Sequence, residues 1–598
     1  MRQRNVLVMA TLPLLGLSLM VGSVGASGGG AVQGGGDGST PAPLSTVSIP
    51  MPSNLGVYVV NRTAAIQLGK ALFWDQQAGS NGTQACATCH FHAGADSRTQ
   101  NQINPGPTGA FATGGAAPNV ALSGADFPFY QLHNPQDQNS SVVRDNTNIV
   151  GSQGVFKNDF PVPAMLLPTD PTAYACTHVA DATFNVGGVN VRQVTGRNTP
   201  SAVDAVFNFR NFWDGRANNT FNGVDPFGSG TAGAAVWQLV NGQLTQVPVS
   251  MTNASAASQA VGPPNNGVEM ACNGSQWANI GHKLLGLVPL GKQQVDSNDS
   301  VLGSLANTGG MGLTTSYATL IQQAFDPSLW SATDPVAAAG GQYSQMEANF
   351  SLFWGLAIDL YESSLVASQT PVDAFAAGNA SALSAQQQQG LAIFNGQGRC
   401  AQCHSGSAFT DATSGELNGF KGFHNTGVTR TADDLGAGPR ANDPALNGAF
   451  KTSGLRDVEL TGPYMHNGSM ATLRQVVDFY NRGGNFANAN LDSQIRPLGL
   501  TAAQEEALVA FMDGLTDPRV VLQQGPFDHP SLCVYNGAQG NQSSVTPKAD
   551  GQPIREALDN LQCMGAVGQS GVNLAGMGLS YQQYLGSQHF LQLNPQQR

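Results

Sequence analysis

The chain has 598 residues, of which 41% are hydrophobic and only 11% charged, and its formal net charge is −12. This length predicts more than one hydrophobic core. The acidic balance argues against nucleic acid or an anionic membrane surface as a partner, and it favours at most a weak attraction to a basic protein.

The amino terminus is typical of a secretory signal. Arg2 and Arg4 precede an apolar run that is shorter than a bilayer-spanning helix usually needs, and small residues follow it. We expect residues 1–26 to be a cleaved signal peptide, with an uncleaved anchor as the alternative. The mature protein is then predicted to be periplasmic or secreted, without membrane insertion.

The mature chain is predicted to divide into four parts. Residues 27–45 are rich in Gly, Ser and Pro and predict a flexible linker. An N-terminal domain with long Gly- and Asn-rich insertions follows over 46–345, and a C-terminal domain over 346–530. Residues 531–598 are predicted to be an extension wrapped on the body.

Each of these two domains contains one pentapeptide of the form Cys-x-x-Cys-His. The residues concerned are Cys86, Cys89 and His90 in the first, and Cys400, Cys403 and His404 in the second. Two thiols at this spacing can each form a thioether with a haem vinyl group, while the adjacent imidazole reaches the iron. We therefore predict two covalently bound c-type haems. A redox or zinc site is the alternative, and it would make both histidines coincidental.

Each pentapeptide follows a predicted helix. Apolar residues recur at helical spacing from Thr63 to Trp74, and again from Leu383 to Phe394, where Ser384 is a plausible N-cap. The two haem units are thus expected to share one design.

Four cysteines remain outside the haem motifs: Cys176, Cys272, Cys533 and Cys563. Free thiols seldom persist in an oxidising compartment, so two disulfides are expected, and three pairings are open. We favour Cys176 with Cys272 and Cys533 with Cys563, because each pair lies within one proposed part of the chain.

Four further segments occur in an order that one superfamily shares. They are residues 68–75 (LGKALFWD), 197–200 (RNTP), 212–217 (FWDGRA) and 463–468 (PYMHNG), the last followed by Leu473. With the two pentapeptides they resemble the bacterial di-haem cytochrome c peroxidase and MauG superfamily. The resemblance covers about half the chain, roughly residues 63–90, 196–225 and 350–515.

The resemblance implies a mainly α fold, with two cytochrome c-like haem domains, long irregular insertions and a C-terminal extension. It also implies that the haem on His90 is the reactive one, whose open face meets hydrogen peroxide or dioxygen. The haem on His404 would relay electrons to or from a small redox protein or an organic substrate.

The superfamily builds the distal pocket of the reactive haem around the segment that contains Trp213. Aligned without gaps, the distal glutamate of the peroxidases falls at Phe221, and the glutamine that often accompanies it falls at Asn211. A phenyl ring cannot transfer protons, and the acids near it in sequence are Asp214 and Asp225. Asn211, Trp213 and Phe221 are the predicted catalytic residues, and their pattern puts peroxidase chemistry in doubt.

An apolar distal wall is similar to that of the di-haem rubber oxygenases, which belong to the same superfamily and carry aromatic residues there. Distal polarity and access decide what a haem does with oxygen. Phe212 and Phe227 are further pocket candidates, and each is equally compatible with ordinary core packing. Trp213 is also a candidate stepping stone between the haems.

The resemblance suggests further ligands. The position of the second haem's sixth ligand falls at Tyr480, and His529 is the alternative, by analogy with the rubber oxygenases. A tyrosine ligand would lower the reduction potential. Thr461 and Pro463 match backbone ligands of a calcium ion that lies between the domains in many relatives.

Three functions remain open. The first is a peroxidase-type oxidoreductase, the second is a dioxygenase that acts on a hydrophobic substrate, and the third is an electron-transfer cytochrome without catalysis. A first haem with both axial positions filled would favour the third, and His92 or His178 is a candidate to fill the second position.

Overall fold

A computed structural model of the chain describes residues 40–113, 117–413, 419–547 and 560–592, which all belong to one compact unit. The predicted signal peptide and residues 27–39 of the predicted linker lie outside these ranges. The end of the linker is packed, because Leu44 is buried and its N–H donates to Asp373 Oδ1 at 2.9 Å. Within the described ranges, no helix is long and apolar enough to cross a membrane.

The described residues form α-helices α1 to α16, which we number in chain order. They are Leu55–Tyr58, Arg62–Trp74, Ala87–His90, Ser255–Ala260, Trp277–Leu285, Tyr317–Ala324, Gln345–Ala348, Phe350–Glu362, Pro371–Ala376, Ala385–Asn395, Gly438–Ala441, Leu473–Asn481, Ala502–Asp513, Pro518–Val521, Leu574–Met577 and Tyr581–Ser587.

Strands β1 to β20 are short. They are Ile103–Asn104, Tyr130–Leu132, Val142–Asp145, Ile149–Val150, Asn158–Asp159, Leu166–Leu167, Asp170–Tyr174, Thr177–His178, Asn185–Val186, Val189–Asn190, Val236–Val240, Gln243–Val247, Val336–Ala338, Gly341–Tyr343, Phe423–His424, Phe450–Lys451, Leu532–Tyr535, Gly540–Asn541, Ser544–Val545 and Leu561–Met564. Every described strand pairs antiparallel with one partner. Helices form most of both cores and short hairpins fill the insertions, so the predicted mainly α class is only loosely met: 29% of residues are helical and 15% are in strands.

The helix ahead of the first haem motif crosses α8 at very close range. In α2, a Cβ added to Gly69 would lie 1.9 Å from the carbonyl oxygen of Ala357 in α8. Only glycine allows the two backbones to approach this closely. Leu68 and Leu72 are fully buried in the same contact, so α2 and α8 form the centre of the first core.

The second haem unit repeats this arrangement. Helix α10 begins after the predicted N-cap Ser384, whose side chain accepts from Gln387 N–H. A Cβ on Gly390 would lie 1.9 Å from the carbonyl oxygen of Ala507 in α13. The expectation of two units of one design is confirmed in the packing of both helix pairs.

Helix α8 lies just beyond residue 345, the predicted boundary between the two haem domains. All thirteen residues of α8, from Phe350 to Glu362, are buried, and most of its apolar residues pack in the first core. The second core begins at Val372. The structure therefore groups α8 with the first haem unit.

The C-terminal extension is part of the first core. Leu532 and Val534 of β17 are buried in it, and β17 pairs with β20 through Cys533 opposite Cys563. These two cysteines form a disulfide, and Cys176 and Cys272 form another. Both predicted pairings are confirmed.

Candidate haem sites

The first motif lies on α3, and its histidine is prepared for metal binding. His90 Nδ1 lies 2.7 Å from the carbonyl oxygen of Gly94. A proton on Nδ1 makes this hydrogen bond and leaves Nε2 free for the iron. Burial lowers the pKa of His90, which keeps the imidazole neutral, as a ligand must be.

The four motif cysteines are free thiols, in contrast to the four that form disulfides. Cys89 Sγ accepts a hydrogen bond of 3.5 Å from Arg98, and Cys86 packs against the first core. Two unpaired thiols beside a neutral imidazole fit the covalent attachment of a c-type haem.

Two partly or fully buried acids, which the sequence analysis missed, lie near these thiols. Burial is the main cause of the raised pKa of Cys86, and the negative charges of Glu362 and, more weakly, Glu269 add to it. Glu269 also raises the pKa of Cys89. The pKa of Glu269 itself is raised by burial, and the charge of Arg216 partly offsets this.

Glu362 belongs to a pair on α8. Burial raises its pKa well above the ordinary value, and the charge of Asp359 adds to the effect. Glu362 is 7% exposed, and its Oε2 has no hydrogen-bond partner among the described residues. Burial also raises the pKa of Asp359 to about 7, although the N–H of Ala257 donates to its carboxylate.

The predicted distal residues Phe221 and Asn211 are buried among other groups. Phe221 is fully buried in the first core, and its ring lies against Gly355 of α8. The Asn211 amide donates to the carbonyl oxygen of Ala205 and to Ser255 Oγ. Since both of its N–H groups are used within the protein, Asn211 has none left for a bound oxygen species.

The other aromatic candidates are dispersed. Trp213 lies in the wall of the second haem cavity, where its indole N–H donates to the carbonyl oxygen of Asn198 at 2.8 Å. Phe212 lies under the Arg216 guanidinium, and Phe227 is 41% exposed. These side chains thus pack on different elements, and a shared aromatic distal pocket stays a prediction.

A small cavity of about 50 Å³ lies beside His90. Its lining includes Trp74, Tyr361, His529 and His92. His529 thus lies with the first haem motif and not with His404, so its predicted role as a ligand of the second haem is not supported. Of the two histidines considered for the first iron, only His92 lines this cavity, whereas His178 is exposed on β8.

The second motif opens into a mainly apolar cavity of about 240 Å³. Cys400, Cys403, His404 and Tyr480 all line it. His404 Nδ1 lies 3.1 Å from the carbonyl oxygen of Ser453, which orients its Nε2 for iron in the way described for His90. Burial raises the pKa of Tyr480, and charge on Cys403 and Cys400 adds to it, so the phenol lies near both thiols.

A charged histidine in the same wall is a second feature that the sequence analysis missed. His424 donates to Asp492 at 2.7 Å and to Asp411 at 2.8 Å. Burial lowers its pKa, but the hydrogen bonds and charges of its neighbours raise it to about 11. Lys451 lines the cavity too, and burial lowers its pKa to about 8. Positive groups near a haem raise its reduction potential.

The two cavities share parts of their walls. Residues 198–201 line the second cavity, and the next two, Ala202 and Val203, line the first. Similarly, Leu460 lines the first cavity and its neighbour Thr461 lines the second. Since consecutive residues face both, the two sites are adjacent, as electron exchange between haems requires.

The predicted calcium ligands lie at this shared wall. Thr461 and Pro463 line the second cavity together with Asn198, whose backbone N–H donates to the carbonyl oxygen of His466 at 2.8 Å. Backbone oxygens of this kind are suitable calcium ligands.

Comparison with known proteins agrees with this arrangement. Residues 63–147 and 172–381 match the family described as di-haem cytochrome c peroxidase. The match includes the first haem motif and defines the class of di-haem cytochromes. The chain belongs to the di-haem cytochrome c peroxidase family, which includes MauG.

Individual relatives match over part of their length. The cytochrome-c peroxidase IdrP2 of Denitromonas iodatirespirans is 36% identical over 184 residues, which are 26% of this chain and 46% of the relative. The methylamine utilization protein MauG of Methylorubrum extorquens is 35% identical over 161 residues, which are 27% of this chain and 42% of the relative. The diheme peroxidase BthA of Burkholderia thailandensis superposes with a TM-score of 0.42 at 17% identity, over 81% of this chain and 92% of the other. The chain thus spans about half the length of the curated relatives it matches.

Proposed function

We propose that the protein is an exported di-haem peroxidase, in which the first haem reacts with hydrogen peroxide and the second haem supplies electrons from a small redox protein. The family supports the reaction class. The observation that carries the proposal is that Gln84, two residues before Cys86, donates to the carbonyl oxygen of Glu269, so that an acid lies near the first motif in space. The charges of Glu269 and Glu362 act on the Cys86 thiol in agreement with this.

We assign to Glu269 the proton transfer that Phe221 cannot perform. Cleavage of peroxide requires a group that takes a proton from one oxygen and delivers it to the other. The raised pKa of Glu269 brings this carboxyl closer to neutral pH, where exchange in both directions is easiest. The bound haem would supply the iron that passes electrons to peroxide, and Glu269 would hold and move the proton.

The second site is suited to electron storage. Its cavity is mainly apolar, and Tyr480 is the candidate sixth ligand opposite His404. The positive His424 and Lys451 would oppose the potential-lowering effect of a tyrosine ligand. The wall shared by the two cavities supports direct relay between haems, and a calcium ion on Thr461 and Pro463 would stiffen that wall.

The proposal is tested on the holoprotein by the rate of its reaction with hydrogen peroxide. In Glu269→Gln we expect a fall of roughly 10²- to 10⁴-fold, the usual contribution of a general acid-base group. The wild-type rate should rise with pH through the raised pKa of Glu269, because the carboxyl must be ionised to accept the first proton.

Two further variants complete the experiment. Glu506→Gln removes an exposed acid and should leave the rate unchanged. Glu362→Gln tests the other acid, and a loss confined to it would transfer the proton-moving role to Glu362. Wild-type rates in both the Glu269 and the Glu362 variants would overturn the proposed mechanism.

A further inference from the structure

Two readily oxidised side chains are hydrogen-bonded to each other in the wall of the first cavity. The indole N–H of Trp74 in α2 donates to Tyr361 Oη in α8 at 3.0 Å. Trp74 is 5% exposed and Tyr361 1% exposed. Both line the cavity with His90. The ring of Phe73 bridges the group, with its centroid 6.3 Å from His90 and 5.5 Å from Tyr361.

The other side of the indole is covered by His529. The two rings are stacked, with centroids 4.8 Å apart and an interplanar angle of 13°. Burial lowers the pKa of His529, so the stacked imidazole is neutral. Trp74 is therefore shielded from solvent, and among the described residues no cation lies over its ring.

A buried ion cluster with an excess of negative charge lies next to this stack. Lys70, one helical turn before Trp74, contacts Asp299 at 2.8 Å and Asp528 at 2.7 Å, and all three side chains are fully buried. Two carboxylates and one ammonium leave a net charge of about −1, which low-dielectric surroundings screen poorly. Asp528 is adjacent to His529 in the chain.

The charge of this cluster acts on the aromatic pair. Burial is the main cause of the raised pKa of Tyr361, and the charges of Asp299 and Asp528 raise it further. A negative field that opposes loss of the phenol proton also stabilises a positive charge on the neighbouring indole.

We propose that Trp74, supported by Tyr361 and the Asp299–Lys70–Asp528 cluster, is a redox-active site that donates one electron to the first haem. The inference rests on the proposed function, because hydrogen peroxide is the oxidant that first oxidises the haem. In the step itself, one electron leaves the indole and reduces the haem. No bond forms or breaks, and the indole keeps its N–H proton, which stays hydrogen-bonded to Tyr361. An electron from the second haem later restores the indole.

The other buried tryptophans lack these surroundings. Trp354 lies in the same core, but its N–H donates to the carbonyl oxygen of Ala260, and its ring packs against Trp277. Trp213 lines the second cavity. Trp354→Phe is therefore a control matched to Trp74→Phe in burial and in chemical change.

The test is freeze-quench electron paramagnetic resonance of the holoprotein, prepared with ring-deuterated tryptophan or with ordinary tryptophan and mixed with stoichiometric hydrogen peroxide. We expect an organic radical signal that narrows on deuteration. The signal should be lost in Trp74→Phe and retained in Trp354→Phe. Asp528→Asn keeps the indole but removes negative charge, and it should shorten the lifetime of the signal.

The outcomes separate the two proposals, because haem absorption is recorded in the same samples. If the haems react with peroxide but the radical is absent, insensitive to deuteration or unchanged in Trp74→Phe, the Trp74 inference is overturned and the proposed function stands. If haem absorption does not respond to peroxide, both fail. If Trp74→Phe does not retain its haems, the deuterium effect and the Asp528→Asn lifetime still decide.

Discussion

The two haem units share their attachment chemistry and differ in what surrounds it. In each, a glycine-containing helix crosses a partner helix at close range, and a partly buried histidine with a lowered pKa follows two free thiols. The first unit adds the acids Glu269 and Glu362. The second adds Tyr480 and a charged His424. The pentapeptide thus predicts the cofactor, and in the proposed function the side chains around it give proton chemistry to one haem and electron storage to the other.

Removing the second haem motif should have the largest effect, because it should abolish attachment of one haem and leave the other haem in place. In a Cys400→Ser and Cys403→Ser double variant, the second haem has no thioether bonds and we expect one covalent haem per chain instead of two. Intact mass and the pyridine haemochrome spectrum measure this. The Cys533→Ser and Cys563→Ser double variant should retain both haems. Two covalent haems in the first variant would contradict the assignment of the second motif.

Replacing Tyr480 should change only the second haem. Tyr480→Met exchanges an oxygen ligand that favours oxidised iron for a thioether that does not, so the potential of this haem should rise by on the order of 100 mV, within the range that axial ligands set. A spectroelectrochemical titration measures it. Tyr464→Phe, in the same cavity wall, should leave the potential unchanged. An unchanged potential in Tyr480→Met would exclude Tyr480 as the ligand.

The buried acids should give the first unit a pH-dependent cost in stability. The pKa of Asp359 is about 7 in the fold against an ordinary 3.8, so its contribution to stability is fully present below about pH 4 and is lost as pH rises through about 7. Asp359→Asn keeps an acceptor for Ala257 N–H and removes the charge.

We therefore expect equal stability of wild type and Asp359→Asn at pH 4, and a variant more stable by up to about 4 kcal/mol at pH 8. Denaturant unfolding at both pH values measures this. Glu506→Gln, on the exposed face of α13, should show no such difference. A variant that is equally or less stable at pH 8 would show that Asp359 is not strained by its burial.

The disulfide in the extension should support the first unit selectively. Loss of the Cys533–Cys563 bond, which spans 30 residues, should lower the free energy of unfolding by about 3 kcal/mol. Because β17 packs beside α3, the first haem should lose its absorption at lower denaturant concentration, whereas the second haem should be affected less. Equal shifts for both haems would argue against this local role.

The sequence correctly predicted the features of each unit that depend on residues close together in the chain. The pentapeptides, the preceding helices, the Ser384 cap and both disulfides follow from spacing and compartment. Glu269 lies 48 residues beyond Phe221 and beyond the β11–β12 hairpin, so an alignment without gaps passes over it. Trp213 and His529 line cavities that only the folding of distant segments defines. The signal that could have identified Glu269 is its position as an acid in an insertion with few charges, between Gly267 and Cys272.

The central claim is that the first haem carries out peroxide chemistry and the second stores electrons. Its most direct test is a stopped-flow optical titration of the reduced holoprotein with stoichiometric hydrogen peroxide, repeated with dioxygen. We predict rapid oxidation of the first haem by peroxide, followed by oxidation of the second, at a rate that Glu269→Gln slows. Indifference of both haems to peroxide, with a stable dioxygen complex in air, would contradict this account and favour an oxygenase.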